Sequence, residues 1–458
     1  MANSSNLTPP TSGLGGGQSL LPESGDAPYR VGIAQGLRVG RYRWVVCGLL
    51  FTATAINYVD RQMIGVLKPV IQTDLRWTEG QYANIVFWFQ AAYAIGFLVM
   101  GRFVDAVGTR IGYATAFSLW TVAHVAHAFV RGVTGFAFVR FGLGFGEAGN
   151  FPAGLKAVAA WFPQRERSFA IGILNAGANV GAIVTPLLVP AIALAWGWRA
   201  AFIVTGGLSV VWLIAWLTMY REPSKHRRVG AAELAHIRSD PVQNAGHMPW
   251  LRLFGARETW AYAVPKFLTD PVWWMFLFWL PDFLGKRYGL DLGSFGIPLV
   301  FIYLMSDVGS VVGGWASSRL IRAGWSLNAA RKMTMLCCAM LVTPIIVVQY
   351  VDSLWGAVVL IGLATAGHQA FSSNLLTVPS DLFPGNALGS IVGIGGMAGA
   401  VGGMLIAKLV GYVLEVSNSY EPIFAVAGSA YLLAVLALHV LSPRLTPATW
   451  SPLSETNA

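Results

Sequence analysis

The sequence predicts an all-α membrane protein in which twelve transmembrane helices form two pseudo-symmetric six-helix bundles. Apolar residues make up 55% of the 458 residues and charged residues only 11%, whereas an ordinary soluble domain has roughly 25% charged residues. The mean hydropathy is +0.57. Apolar stretches of spanning length occur in two groups of six, separated by one polar stretch. Lipid is therefore the expected solvent for most of the surface.

Each apolar stretch is long enough for a spanning helix, which needs about 20 residues to cross a hydrocarbon core of about 30 Å. The stretches of the first group are 44–67, 81–104, 111–130, 133–155, 167–194 and 199–219. Those of the second group are 262–285, 296–318, 331–350, 354–378, 386–413 and 422–441. The stretch 221–258 between the groups contains Lys225, Arg227 and Arg228 and is too polar to cross.

The ends of the chain differ from its middle in composition. Residues 1–37 are rich in Gly, Ser, Pro, Asn and Thr, which is typical of disorder. They lack the pattern of a cleaved signal peptide, so we expect the first apolar helix to direct insertion itself. The expected parts are a disordered tail (1–42), an N-terminal bundle (43–220), a linker (221–260), a C-terminal bundle (261–442) and a second tail (443–458).

The distribution of positive charge predicts the orientation. Of the 31 Lys and Arg residues, 22 lie in the tails and the loops on their side, 7 lie on the opposite side, and Arg61 and Arg140 lie within spans. Because cytoplasmic loops carry the excess of Lys and Arg, both termini are expected in the cytoplasm. The net charge of +10 thus reflects topology, and we expect no nucleic-acid partner. The three cysteines have neither metal nor redox spacing.

The two halves carry a similar loop at the same place. GRFVDAVGTRIG (101–112) connects the second and third spans, and GGWASSRLIRAGWS (313–326) connects the eighth and ninth. Two related halves around a central site are the architecture of secondary transporters. A chance similarity between short Gly/Arg loops is the alternative explanation.

Four charged residues lie within the first and fourth apolar spans: Asp60 and Arg61 in the first, and Arg140 and Glu147 in the fourth. Each costs about 2.5–3.5 kcal/mol at the centre of a bilayer. Arg140 and Glu147 are seven residues apart, about two turns along one helical face. Asp60 and Arg61 are adjacent, so they point about 100° apart and need partners on other helices.

These four charges have two interpretations. They could be buried ion pairs that only hold the first and fourth helices together. Alternatively, they form a hydrated central site in which an arginine binds an anion and a carboxylate exchanges a proton. The planar arginine fork suits a carboxylate, and a carboxyl group in a site of low dielectric constant holds its proton more tightly than in water.

Other polar residues at mid-depth extend the predicted site. His368 begins a polar run on one helix that includes Gln369, Ser373 and Asn374, and lipid-facing helices do not carry such runs. His124 and His127 are expected to be packing residues. The remaining polar and aromatic candidates, whose hydroxyl, amide and ring groups suit a polyhydroxylated ligand, are Tyr58, Gln90, Tyr93, Asn175 and Trp274.

Several of these segments resemble a known family. Gly101, Asp105, Gly108 and Arg110 resemble the signature between helices 2 and 3 of the major facilitator superfamily, although the second copy has Ser318 in place of the acid. The segments Tyr58-Val59-Asp60-Arg61 and RFGLGFGEAGNFP resemble the anion:cation symporter family. LTDPVWWMFLFWLPDFL, GHQAFSSNLLTVPSDLFP and SIVGIGGMAGAVGGMLIAKLVG are similar to its bacterial hexuronate transporters.

The resemblance implies a major facilitator fold and proton-coupled import of glucuronate or galacturonate across a bacterial inner membrane. It implies that Arg61 binds the substrate carboxylate, with Tyr58 and Tyr93 lining the site. Asp60 and Glu147 would carry protons, and Arg140 would pair with Glu147. Asp105 and Arg110 would belong to a cytoplasmic gate. The protein is expected to act as a monomer, with protons as coupling ion and no other cofactor.

The alternatives concern the substrate and the class of protein. Within the family, the substrate could be another acid, such as an aldonate, glucarate or an aromatic carboxylate. A membrane enzyme is disfavoured because GxxxxGK[ST], HExxH and CxxC motifs are absent. A sensor is disfavoured because the linker is too short for an output domain. An ion channel fits the duplicated halves and the buried arginines less well than alternating access.

Overall fold

In the computed structural model the described residues are 40–239, 253–383 and 387–446, and these residues form helices without any strand. The predicted disordered tail lies almost entirely outside them, as does most of the C-terminal tail. The helices of the N-terminal half are α1 (Tyr42–Leu75), α2 (Glu79–Val107), α3 (Thr109–Ala126), α4 (Val133–Glu147), α5 (Asn150–Trp161), α6 (Gln164–Trp196) and α7 (Trp198–Met219). A short helix, α8 (Ala231–Ile237), follows in the linker.

The C-terminal half repeats this all-helical pattern. Its helices are α9 (Arg257–Tyr288), α10 (Gly296–Arg322), α11 (Leu327–Val342), α12 (Leu354–Leu375), α13 (Val378–Leu382), α14 (Leu388–Ser417) and α15 (Glu421–Leu441). Two 3-10 helices, Pro223–Lys225 and Thr343–Tyr350, lie in the linker and after α11.

Short, well-capped turns join consecutive helices. Thr78 and Gln81 form a reciprocal capping box at the start of α2, which satisfies two backbone N–H groups that have no helical partner. Gly108 and Gly197 both have φ of +84° at one-residue junctions, where a residue with a Cβ would be strained. Neighbouring helices in the N-terminal half are therefore held antiparallel with little freedom.

The predicted span 133–155 is not one helix. The structure divides it into α4 and α5 at Ala148 and Gly149, and α5 continues to Trp161. Pro152 is the third residue of α5 and has no N–H to donate to the preceding turn, so the helical ladder is interrupted there. The break places Glu147 at the end of α4.

Eight helices among the described residues are long and apolar enough to cross a membrane. They are Glu79–Val107, Phe169–Trp196, Trp198–Met219, Gly296–Arg322, Leu327–Tyr350, Leu354–Leu382, Ser390–Ser417 and Glu421–Leu441. The other predicted spans, 44–67, 111–130, 133–155 and 262–285, are not among the eight. Three of these four carry buried charged residues, which lower their apolar character.

The two halves are joined at the end where α1 finishes and α2 begins, here called the closed end. Gly65 allows α1 to contact α9 directly, because a Cβ at this position would lie 2.6 Å from the carbonyl oxygen of Leu277. Tyr82 of α2 donates to the carbonyl of Phe278 over 2.9 Å, and Lys408 of α14 donates to Asn84.

The linker helix α8 contacts the N-terminal half at the opposite end. Glu233 is buried and accepts a hydrogen bond from the backbone N–H of Arg43 over 3.1 Å. Glu166 of α6 accepts from Arg43 over 2.9 Å and from His236 over 2.8 Å. Burial raises the pKa of Glu166, but the hydrogen bonds from His236 and Arg43 outweigh burial and hold this pKa below its ordinary value.

Candidate functional site

A buried ion pair lies at the centre of the N-terminal half. Arg61 of α1 donates from Nε to Oε2 of Glu147 over 2.8 Å, and both residues are at most 2% exposed. One turn before Arg61 on the same helical face, Asn57 accepts from the guanidinium over 2.9 Å. The hydroxyl of Tyr93 accepts over 3.2 Å. The sequence-predicted Arg61, Glu147 and Tyr93 are therefore brought together.

Aromatic rings from both halves surround the Arg61 guanidinium. Its Cζ lies 4.8 Å from the ring centroid of Tyr58, 4.8 Å from that of Tyr93, 5.9 Å from that of Phe89 and 5.2 Å from that of Trp274. Because Trp274 belongs to α9, this cage spans the interface between the halves. Cation–π contacts hold a charged group that has been removed from water. Phe89 was not among the sequence-predicted residues.

Arg140 does not form the predicted pair with Glu147. Among the described residues its one hydrogen bond runs from Nη2 to the backbone carbonyl of Arg61 over 3.2 Å. Its Cζ lies 4.6 Å from the ring of Phe89 and 5.6 Å from that of Phe278. Its Nε and Nη1 have no hydrogen-bond partner although the residue is fully buried. Glu147 pairs with Arg61 instead, because the Arg61 side chain reaches the Glu147 carboxylate from the facing helix α1.

Asp60 points away from Arg61, toward α3 and α7. Its Oδ1 lies 3.3 Å from Nε2 of His124, and its Oδ2 accepts from the hydroxyl of Ser209 over 3.5 Å. The expectation that His124 only packs is therefore wrong: it is the nearest ionisable partner of Asp60. The sequence signal for such a contact is an ionisable residue within an apolar helix, here in the last turn of α3.

An apolar cleft reaches Asp60 from the outer surface between α1, α6 and α7. Its volume is about 180 Å³, and apart from Asp60 and Thr205 its lining is apolar, formed by Ala55, Ile56, Val59, Val180, Gly181, Val184, Leu188 and Leu208. Val180, Val184 and Leu208 are also exposed at the outer surface. Apolar cavities stay dry, so this cleft does not hydrate the carboxylate.

Two amides beside the aromatic cage have unused polar groups. Gln90 is fully buried, and neither its Oε1 nor its Nε2 has a partner. It lies beside Trp274 at Gly403 of α14, where an added Cβ would approach both side chains at about 3 Å. The Nδ2 of Asn57 is likewise unpartnered. Buried polar groups without partners are costly, and a hydroxylated ligand would satisfy these two.

The predicted polar run on α12 serves mainly to pack the C-terminal half. Nδ1 of His368 is hydrogen-bonded to the hydroxyl of Tyr431 over 2.5 Å, and its ring stacks on Trp273 at 5.1 Å. Ser373 donates to the carbonyl of Ala370 over 3.0 Å. Gln369 is partly buried on the same helix, and Asn175 on α6 is exposed.

Asn374 is engaged near the end of α12, in a cluster away from Arg61. Its amide donates to the carbonyl of Gly313 over 3.0 Å, and its oxygen lies 3.5 Å from Nη1 of Arg331. Arg331 in turn pairs with Asp381 over 3.3 Å. The structure therefore uses Asn374 to join α10, α11 and α12.

A second ion pair, missed by the sequence interpretation, lies on α9. Lys266 and Asp270 are four residues apart, and Nζ lies 2.6 Å from Oδ2. Both residues are largely buried, and Tyr58 lies within electrostatic range of this pair as well as of Arg61 and Glu147. In the charge count of the sequence analysis Lys266 belongs to the central loop and its flanks, because it lies near the start of the apolar stretch 262–285.

Within the part of the chain that the structure describes, the predicted gate residues contact neither each other nor the C-terminal half. Asp105, which is 71% exposed, pairs with Lys156 over 2.8 Å. Arg110 donates to the carbonyl of Leu217 at the end of α7. Both interactions lie within the N-terminal half, so here these residues fix loop geometry.

A buried cluster of four charges joins the halves at the closed end. Lys68 contacts Glu79 over 2.7 Å and Asp282 over 2.8 Å. Lys286 contacts the same carboxylates over 2.6 and 3.2 Å, and the hydroxyl of Tyr420 donates to Asp282. Each ammonium is shared by both acids, so the four charges are mutually compensated. The charge count of the sequence analysis includes both lysines among the seven positive residues on the side opposite the termini.

Comparisons with known proteins agree with this architecture. The family model described as Major Facilitator Superfamily matches residues 50–407. The chain is 32% identical to the hexuronate transporter of Escherichia coli (strain K12) over 402 residues, which cover 86% of this chain and 93% of the relative. It is 34% identical to the galacturonate transporter of Dickeya chrysanthemi over 278 residues, covering 60% and 81% of the two chains. A bacterial homologue of the human lysosomal transporter Spinster, in an inward-facing and occupied conformation, is similar in structure, with a TM-score of 0.68, 16% identity and coverage of 89% and 96%.

Proposed function

The chain belongs to the Major Facilitator Superfamily, and from this premise we propose that it is a symporter that carries a monoanionic sugar acid, a hexuronate such as glucuronate or galacturonate, together with protons. The observation that carries the proposal is the buried Arg61 guanidinium, which is held by Glu147 inside an aromatic cage built by both halves. A group that contacts both halves is where bound substrate can control their relative movement.

The chemistry of the cage matches a sugar acid. The guanidinium offers parallel donors to a carboxylate, and the rings of Tyr58, Tyr93 and Trp274 offer faces to sugar C–H bonds. The unpartnered amides of Asn57 and Gln90 suit hydroxyl groups. The hexuronate and galacturonate transporters among the relatives support this substrate class.

The charge balance favours a monoanion over a dianion. Lys266 is the second cation within range of Tyr58, but Asp270 neutralises it at 2.6 Å. Arg140 donates to the backbone carbonyl of Arg61 and lies against the rings of Phe89 and Phe278. Arg61 is thus the cation inside the aromatic cage that substrate can bind, provided that Glu147 releases it. A dianionic acid such as glucarate would leave one carboxylate without a partner in a buried site, which is costly.

Proton coupling follows from competition for Arg61. When Glu147 is ionised it holds the guanidinium at 2.8 Å, so substrate must displace a buried carboxylate. When Glu147 is protonated its charge is gone, and the substrate carboxylate takes its place. Protonation of Asp60 removes the second negative charge of the set Asp60, Arg61, Arg140 and Glu147, which is neutral when all four are ionised. With one monoanion and two protons bound the set carries one positive charge, so substrate and protons load together without leaving a buried carboxylate unpaired.

The proposed architecture has twelve transmembrane helices in two six-helix bundles, joined by the linker, with both termini in the cytoplasm of a bacterial cell. Four of the twelve are less apolar than the other eight, and three of these four carry buried charged residues. With this orientation the closed end faces the periplasm. The charge cluster at Lys68 and Asp282 would then be a periplasmic gate, and Asp105 and Arg110 would belong to the cytoplasmic gate in the opposite state.

Reconstituted protein in vesicles provides the test. We expect labelled glucuronate or galacturonate to accumulate under an imposed pH gradient, and a protonophore to abolish the accumulation. Glu147→Gln should retain counterflow but lose gradient-driven accumulation, while Arg61→Ala should lose both. Accumulation that persists with the protonophore would rule out the coupling.

The second candidate is import of another organic anion of the same family, such as an aldonate. It is favoured if the aromatic cage selects for a carboxylate and hydroxyl groups without regard to the sugar ring. Competition by glucuronate, galacturonate, galactonate and glucarate in the uptake assay separates the two. Stronger competition by galactonate than by either hexuronate would select the second candidate.

A further inference from the structure

We propose that one transported proton is bound by a dyad of Asp60 and His124, located behind the substrate site, and that His124 is a positioning residue for proton coupling. The inference rests on the proposed symport and adds a residue that neither the sequence nor the family signature points to. The two side chains belong to α1 and α3, and both are fully buried.

Asp60 needs such a partner because, among the described residues, no arginine or lysine lies within ion-pair distance of it. Its polar contacts there are Nε2 of His124 at 3.3 Å, the hydroxyl of Ser209 at 3.5 Å and the indole of Trp120, while Arg140 lies within electrostatic range. Arg61 is turned toward Glu147, and the hydrogen bond of Arg140 goes to a backbone carbonyl. An isolated carboxylate charge at full burial is strongly disfavoured, so this site is built to take up a proton.

The hydrogen bonds fix which nitrogen of His124 is free. The hydroxyl proton of Thr205 goes to the carbonyl of Ala201 over 2.8 Å, so the Thr205 oxygen acts as acceptor toward His124 Nε2, 2.8 Å away. Nε2 therefore carries a hydrogen, which it donates to Thr205, while the unpartnered Oδ1 of Asp60 lies 3.3 Å from the same nitrogen. In the neutral ring Nδ1 then holds the lone pair, and Nδ1 has no partner in the structure.

The proton count of the dyad is simple. In the empty form the carboxylate is ionised and the ring is neutral, so the pair has one negative charge. Uptake of one proton at Nδ1 gives an imidazolium whose Nε2–H faces Oδ1 at 3.3 Å. Transfer of that Nε2 proton to Oδ1 gives a neutral acid and a neutral ring with the same total charge. The pair is one titrating unit whichever atom holds the proton.

Charged and polar groups of the neighbouring helices connect this unit to the substrate site. The apolar cleft brings no titratable group from α6. Glu147 and Arg140 on α4 make this connection. Trp120 on α3 and Thr205 and Ser209 on α7 are in hydrogen-bonding range of the dyad, and His127 is in electrostatic range of His124 but not of Asp60. A proton on the dyad thus reduces repulsion on Glu147, whose release of Arg61 admits substrate.

The test compares His124→Gln with His127→Gln in vesicles. His127 is a matched control, since it lies on the same helix, is equally buried, and donates from Nδ1 to the carbonyl of Ala123 over 2.8 Å rather than facing Asp60. We expect His124→Gln to keep counterflow, to lose one proton from the measured proton-to-substrate ratio, and to lose gradient-driven accumulation. His127→Gln should match the wild type. An unchanged ratio in His124→Gln overturns the dyad.

A spectroscopic measurement covers the case in which His124→Gln does not fold. In infrared difference spectra between acid and neutral pH, Asp60→Asn should remove a carboxyl band of the wild type, and ¹⁵N-labelled histidine should show one ring signal that titrates with that band. A carboxyl band that titrates with no histidine signal overturns the proposal. Wild-type protein that moves no sugar acid under any gradient refutes the proposed function instead, so the two failures are distinguishable.

Discussion

Replacing Asp282 with Asn should weaken closure of the end that we assign to the periplasm. Asp282 lies between two ammonium groups, at 2.8 Å from Lys68 and 3.2 Å from Lys286, and also accepts from Tyr420. The side chain of Lys68 is 0% exposed, so water cannot solvate its ammonium group when the negative charge of Asp282 is removed. Asn keeps the shape and one acceptor but removes the charge.

The magnitude follows from the burial of each contact. Breaking a buried ion pair costs about 3–5 kcal/mol. The contact to Lys286 contributes little because that side chain is 37% exposed and solvent screens it. Lys68 also retains Glu79, so the lower end of the range, about 3 kcal/mol, is appropriate. At about 1.4 kcal/mol per factor of ten, the ratio of closed to open periplasmic end should fall roughly 100-fold.

Distances between spin labels on the two halves measure this ratio. Thr73 at the end of α1 and Ser417 at the end of α14 are exposed and suit labelling. The exposed Cys337 would be replaced by Ser, while Cys47 and Cys338 are buried. We expect the variant to show a new population with longer distances.

An exposed ion pair at the same end provides the control. Arg287 and Asp352 pair over 2.7 Å, with Asp352 95% exposed, so Asp352→Asn should change the distances little. If Asp282→Asn remains folded and its distance distribution equals that of the wild type, the charge cluster does not hold this end closed.

Three further outcomes are expected. Arg61→Lys should weaken substrate binding by about 1.5–3 kcal/mol in calorimetry, since the ammonium loses one of two parallel charged hydrogen bonds; unchanged affinity would argue against a carboxylate on the fork. Gly65→Ala should reduce transport, because the added Cβ would lie 2.6 Å from a carbonyl oxygen of α9. Gly48→Ala is the control and should not reduce transport, because no atom lies within 4 Å of its added Cβ. Equal losses of transport in the two variants would contradict this. Because the pKa of Glu166 is lowered in the folded protein, its ionised form stabilises the fold at neutral pH. This stabilisation should be lost as the pH falls below the ordinary carboxyl pKa of about 4.3. Glu166→Gln should therefore flatten the dependence of the melting temperature on pH in that range, and an unaltered dependence would refute the linkage.

The sequence was sufficient to predict an all-helical chain and to single out Asp60, Arg61, Arg140 and Glu147, because charges in an apolar run are conspicuous and costly. It could not predict their partners. Arg61 and Glu147 are 86 residues apart, and whether Glu147 pairs with Arg61 or Arg140 depends on how α1 and α4 are rotated.

The same limitation explains the missed residues. Lys68, Lys266 and Asp282 lie near the ends of apolar stretches, where a charged residue is expected to reach water by extending its side chain. Only the packing of α9 against the N-terminal half shows that Lys68 and Asp282 are buried together. Likewise, the composition of α3 gives no indication that His124 faces Asp60, because the helix carries its polar residues on more than one face.

Simultaneous recording of external pH and labelled hexuronate uptake by vesicles tests the central claim most directly. Adding glucuronate or galacturonate to vesicles without any imposed gradient should make the external medium more alkaline as the sugar acid enters, and Arg61→Ala should abolish both signals. Entry of the sugar acid without proton movement, or both signals persisting in Arg61→Ala, would contradict the account.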